Sequence, residues 1–216
     1  MRPGTPADQK GKLVRYRLKL QISFIAIVMI HFFVALASSQ QVHVLLNDTR
    51  ALVTQVEVPP GETYTLHGNQ EQTVWVTLDS IVFSGGKGGD QTPKRARAGD
   101  AATLNKGGQI EFRSANNLPA HLIVVRAKNT QQDLTVGSLS LTGGLEDASA
   151  RNATLFVGIS SSHFQDVRNL GDESEWLPSS PEKIVMQPGS VRWIKPGIHH
   201  FKNLGPGAAK LVTIEW

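Results

Sequence analysis

The stretch WIKPGIHHFKNLG, residues 193–205, sets two adjacent histidines, His199 and His200, between a Pro-Gly and an Asn-x-Gly. Imidazole nitrogens suit iron, manganese, zinc, nickel or copper, especially beside carboxylates. They are also ordinary hydrogen-bonding groups inside a fold. Other residues that could join such chemistry are His67 with Glu71, Glu111 with His121, and His163 with Asp166. On a strand, side chains at i, i+2 and i+4 share a face. His199, Phe201 and Asn203 then lie on one side, His200 and Lys202 on the other. Lysine prefers solvent, which favours His199 as the inward residue. The same rule turns His163 and Asp166, three apart, to opposite faces, a poor arrangement for a shared metal.

Strands must position these groups. Residues 73–83, 120–127, 133–141, 153–159 and 209–216 are rich in β-branched and aromatic side chains, with Gly, Pro, Asn and Ser clusters between them. Long amphipathic helical patterns are hard to find. Many short strands with frequent turn signals predict a sandwich or barrel. The chain also repeats. Gly99 and Gly107 align with Gly189 and Gly197 at an offset of 90, and Phe112 and Ala120 with Phe201 and Ala209 at 89. Upstream, VWV at 74 aligns with LFV at 155, so two units of about ninety residues are expected.

These motifs resemble those of the cupin superfamily, small jelly-roll β-barrels whose metal-binding members hold one divalent ion with three histidines and a glutamate. GSVRWIKPGIHHFKNLG is similar to the second cupin motif through Gly189, Pro196, Gly197, a histidine and Asn203. The family's Pro-x-Gly has shortened to Pro-Gly. Spacing to Asn203 selects His199 as the family histidine, and spacing from Gly197 selects His200. PPGETYTLHGN is similar to the first motif through Gly61 and His67, but Asn69 stands where the second histidine belongs. Thr73 or Val74 stands in the glutamate's place, with Glu71 at the wrong spacing. In the repeat, Ile110 lies over His199, Glu111 over His200 and Ser114 over Asn203, while His67 maps near Ala148.

The resemblance thus implies an all-β protein of two tandem cupin-like jelly-roll barrels, residues 42–128 and 129–216, with degraded metal motifs. Each barrel would keep one family histidine, and one imidazole holds a metal poorly. A single-barrel alternative, pairing 42–83 with 186–216, would bring His67 and His199 together. With Glu71 or Glu111 they would form a two-His-one-carboxylate set suited to non-haem iron.

The first 37 residues differ from the rest. Arg2, Lys10, Lys12, Arg15, Arg17 and Lys19 precede the apolar run ISFIAIVMIHFFVAL and then ALASSQQ. That is the order of an export signal, with cleavage expected before Ser38 or Gln40. An uncleaved membrane anchor is the alternative, although the run falls short of the roughly 20 residues of a comfortable span. Removal takes six of 22 Lys and Arg and one of 18 Asp and Glu, leaving 16 and 17, a net charge of −1. The basic character therefore belongs to the targeting segment, and a nucleic-acid partner loses its support. With no cysteine, the exported part must be held by its core rather than by disulfides.

No Gly-x-Ser-x-Gly, His-Glu-x-x-His or phosphate-binding glycine loop is present, and GGKGG at 85–89 lacks the Lys-Ser/Thr ending. Trp75, Trp176, Trp193 and Trp216 could line a sugar or aromatic pocket, or simply fill a core. The expectation is an exported, periplasmic or extracellular protein that binds a small molecule, a carbohydrate among the candidates, without catalysis. Candidate ligand contacts are Trp75, Trp193 and Asn203; candidate metal ligands are His67, His199, His200 and Glu111. Either no cofactor or one divalent metal is expected. Membrane contact would come only through an uncleaved N-terminus, and the resemblance allows a homodimer. The alternatives are a metal-dependent oxygenase or isomerase using His67, His199 and a carboxylate, and a structural envelope protein without ligand.

Overall fold

The computed structural model describes residues 40–68, 71–85, 92–128, 133–150, 152–171, 175 and 177–216. Residues 1–39, on which the expected export signal falls, Asn69, Trp176 and most of GGKGG lie outside them. Gln40–Trp216 forms one compact unit. Among the described residues there is no helix, so none is long and apolar enough to cross a membrane.

The strands, in order, are β1 (Gln41–Asn47), β2 (Ala51–Val58), β3 (Thr63–His67), β4 (Thr73–Thr77), β5 (Ile81–Gly85), β6 (Lys94–Ala96), β7 (Ala101–Leu104), β8 (Gln109–Ser114) and β9 (Ala120–Ala127). They continue as β10 (Thr135–Leu141), β11 (Leu145–Ala150), β12 (Thr154–Gly158), β13 (Ser162–Arg168), β14 (Glu182–Met186), β15 (Val191–Ile194), β16 (Gly197–Asn203) and β17 (Ala209–Glu215). Sheets β1-β2-β9-β4-β7 and β3-β8-β5-β6 make the first barrel; β10-β17-β12-β15 and β11-β16-β13-β14 make the second. The apolar run 73–83 is two strands rather than one. The chain turns at Leu78–Ser80, where the Asp79 carboxylate accepts the backbone N–H of His121 at 2.9 Å.

Alternation explains why β4, β9, β12 and β17 are apolar on both faces. Trp75, Leu122 and Val124 point into the first barrel, Phe156, Ala209 and Leu211 into the second. The opposite faces, with Val74, Val76, Ile123 and Val125 against Leu155, Val157, Val212 and Ile214, form a third apolar cluster that joins the barrels. At its margin Trp193 packs edge-on against Trp216 at 4.7 Å and carries the Arg50 guanidinium 4.0 Å above its ring. The Trp193 indole N–H donates to Asp48 at 2.8 Å, tying the β1–β2 turn to the second barrel.

The repeat has a structural counterpart. Gly99 N–H donates to Thr77 O and Gly189 N–H to Gly158 O, both at 2.8 Å, at left-handed turns (φ +91° and +82°) that lead into β7 and β15. β4 pairs Val76 with Ala101, and β12 pairs Val157 with Val191. From β2 to β9 each strand has a counterpart in β10 to β17 with matching pairing, and β1 is an added edge strand of the first barrel.

Candidate ligand site in the second barrel

The registers show which residues share each position. On β8 and β16, Ile110 matches His199 and Phe112 matches Phe201. Their partners on β5 and β13 are Gly85 and Arg168, then Phe83 and Asp166. β4 and β12 match Trp75 with Phe156; β2 and β10 match Thr54 with Gly137; β9 and β17 match Val124 with Thr213.

In the first barrel these positions are filled. Trp75 meets Phe83 at 5.3 Å and Phe112 at 5.4 Å, and Ile110, Leu66 and Leu104 close around them. Above this plug, burial pushes the Tyr64 hydroxyl pKa up, with the hydrogen-bonded Arg126 guanidinium opposing it. In the second barrel, Phe for Trp and Gly for Thr remove volume, while Thr for Val adds a hydroxyl. A cavity of about 190 Å³ remains, bordered by Gly137, Thr154, Phe156, Thr213, Glu215 and His199. A larger one, about 630 Å³, opens between β14 and β15, bordered by Asp166, Arg168, Glu182, Arg192, Lys195 and again His199.

His199 stands between the two. It faces inward, 2% exposed, stacked parallel to Phe201 with ring centroids 5.5 Å apart. Nδ1 lies 2.9 and 3.0 Å from the two carboxylate oxygens of Asp166. Nε2 lies 2.8 Å from Lys195 O. A carbonyl only accepts, so Nε2 carries a hydrogen, and Nδ1 shares a hydrogen with the Asp166 carboxyl group. Neither nitrogen offers a lone pair to a cation in this arrangement. Asp166 and His199 satisfy one another in a water-poor setting, where an unpaired partner would be costly.

The remaining candidates are dispersed. His67 ends β3 with its side chain exposed and pairs with Gln109; Ser149, paired with Ile198, takes its place in the second barrel. His67 and His199 thus stand on strands of different barrels and do not converge. His200 is half-buried on the opposite face of β16. Glu111 faces away from the first barrel's core, 3.7 Å from Arg113. His163 is exposed while Asp166, three residues on, is buried. His121 lies outside the first barrel, with Nδ1 2.7 Å from Asp79. Asn203 is buried but committed to its turn: its amide donates to Leu141 O (3.0 Å) and Gly207 O (2.7 Å), and its oxygen accepts from Gly205 N–H (2.9 Å). Trp75 belongs to the first barrel's plug and Trp193 to the seam between barrels. Among the described residues no group of three or more His, Asp and Glu is placed to hold a metal ion. The cupin metal, with its three histidines and a glutamate, does not fit this donor set.

Three polar residues of the site carried no motif. Arg168 on β13, Arg192 on β15 and the exposed Lys195 just after β15 border one cavity only because two sheets of the second barrel face each other. Arg168 and Arg192 are inward in register, opposite His199 and Phe156, whereas Lys195 has no register signal.

No protein-family model matches the sequence, and no curated protein matches it. Solved structures do. AerE from Microcystis aeruginosa superposes with a TM-score of 0.57 at 10% identity, covering 81% of this chain and 91% of its own. A cupin 2 conserved barrel domain protein from Leptotrichia buccalis gives 0.50 at 12% identity over 85% and 93%. Oxalate decarboxylase from Lactobacillus farciminis, solved as a formate complex, gives 0.57 at 9% over 77% of each chain. The likeness is one of fold: this chain has the cupin jelly-roll, built as two barrels.

Proposed function

We propose that the protein is an exported cupin-fold binding protein that holds a small polar molecule in its second barrel and performs no reaction on it. One observation carries this reading. The second barrel keeps a cavity bordered by His199, whose partner Asp166 borders the larger cavity beside it, where the first barrel is filled by Ile110, Phe83 and Trp75. A barrel maintained only for stability has no need of a buried hydrogen-bonded His–Asp pair, because apolar residues of similar volume often serve at least as well. A pocket with apolar walls and few convergent polar groups is the usual form of a small-molecule site. Export rests on the basic and apolar order of the first 37 residues.

The test is a thermal-shift screen of polar metabolites on the full-length protein, with hits repeated on His199→Ile/Asp166→Phe, which copies the first barrel. Stabilisation by at least one compound, lost in the double variant, supports the reading. No hit, or hits that persist in the double variant, overturns it.

A further inference from the structure

The larger cavity has an uneven charge balance. Its two carboxylates are committed: Asp166 to His199, and Glu182 to Arg192. Arg168 and Lys195 border the same space without a carboxylate partner among the described residues. Among the described residues the Arg168 side chain makes one hydrogen bond, a long one of 3.5 Å from Nη1 to Pro196 O.

Arg168 is nevertheless held. Its Cγ and Cδ pass 3.2 Å from the point where a Cβ on residue 197 would sit, and that residue is Gly197, at φ +144°. The glycine of the shortened Pro-Gly therefore clears the path of the arginine stem. The facing wall is pinned to the same strand: Arg168 N–H donates to Ser179 Oγ (3.0 Å), and Ser179 N–H to Arg168 O (2.8 Å). Asn169 closes the loop behind, accepting Leu177 N–H at 2.8 Å. Arg168, held on this wall beside the Ser179 and Ser180 positions, and the exposed Lys195 at its edge give the cavity mouth two cations without a carboxylate partner among the described residues.

From this arrangement we infer that the second barrel's ligand carries a carboxylate, taken by Arg168 and Lys195 at the mouth between β14 and β15. The inference rests on the reading of the second barrel as a binding site. A guanidinium matches a carboxylate with two parallel hydrogen bonds, and an ammonium adds a point charge. The cavity volume suits a molecule of one or two sugar rings or a short diacid.

Calorimetric titration of the full-length protein with D-glucuronate and succinate, each against D-glucose, tests it. Binding of one or both acids is expected, at least tenfold tighter than glucose and weakened by salt. Arg168→Gln and Lys195→Met should each lower that affinity at least tenfold, with the melting temperature held. Preference for glucuronate identifies a sugar acid, and preference for succinate a short diacid. Glucose binding as tightly as the acids, or acid binding indifferent to both variants, overturns the inference while leaving the binding reading in place. Failure of all three probes, with no acidic hit in the metabolite screen, also overturns it; failure of the screen as a whole removes both.

Discussion

Ile110 and His199 occupy the same position in the two barrels, each inward on the strand that pairs with the family's first-motif strand. One continues an apolar plug, while the other is hydrogen-bonded at both ring nitrogens between two cavities. The pair condenses the division of labour in this molecule: one barrel is filled and the other keeps a polar interior.

Replacing His199 by isoleucine should cost about 3–5 kcal/mol, because Asp166 is left buried without its partner. His199→Ile/Asp166→Phe should recover most of that loss, since the first barrel already packs this pair of residue types. Denaturant midpoints of the two variants decide the point. An unchanged midpoint for the single variant would show that the pair is not the coupled unit described.

The seam between barrels predicts coupled unfolding. Ile123 is fully buried there, facing the β12 and β17 side chains. Ile123→Ala should cost about 2–5 kcal/mol. Amide exchange in β12 and β17, on the other barrel, should speed up along with β9. Loss of protection confined to the first barrel would mean that the two fold independently.

How much of this was legible in the chain depends on the range of the signal. The inward turn of His199 could be read because Lys202 and Phe201 alternate within four residues of it. Its partner Asp166 lies 33 residues away, on a strand whose polar mouth end hides the pattern. Trp193 looked like a pocket residue because nothing local says that the outer face of β15 is covered by another barrel. The doubly apolar β4 and β12 did carry that information, since strands buried on both faces need a second covering layer. The offset of about 90 revealed the two units, but Ile110, Phe83 and Trp75 show their meaning only once register places them around one interior.

Asp48 gives the seam an acid limit. Burial pushes its carboxyl pKa up, but hydrogen bonds from Ala51 N–H, Arg50 N–H and the Trp193 indole outweigh this and hold it below the ordinary 3.8. A lowered folded pKa means that the contribution is present above 3.8 and is lost as pH falls through the lower folded value. Trp193→Phe, which removes one of those hydrogen bonds, should flatten the pH dependence of the melting temperature below about pH 4. An identical acid limb in the two proteins would remove Asp48 from the explanation.

Gly158 closes β12 where a Cβ would lie 2.4 Å from Gln187 O and 3.2 Å from Ser190 Oγ. Gly158→Ala should cost about 1–3 kcal/mol by overpacking a backbone contact. Gly144→Ala, with nothing within 4 Å of the added carbon, should stay within about 0.5 kcal/mol. Equal midpoints for the two variants would contradict the close approach of Gln187 O to Gly158.

The most direct measurement is the ring-nitrogen NMR spectrum of ¹⁵N-histidine-labelled full-length protein, with His199 assigned through His199→Asn. The account predicts no movement of either His199 nitrogen on adding equimolar Zn²⁺, because Asp166 and Lys195 O already hold both. A bare His199 nitrogen that shifts stoichiometrically with the metal would contradict the account and return the second barrel to metal chemistry.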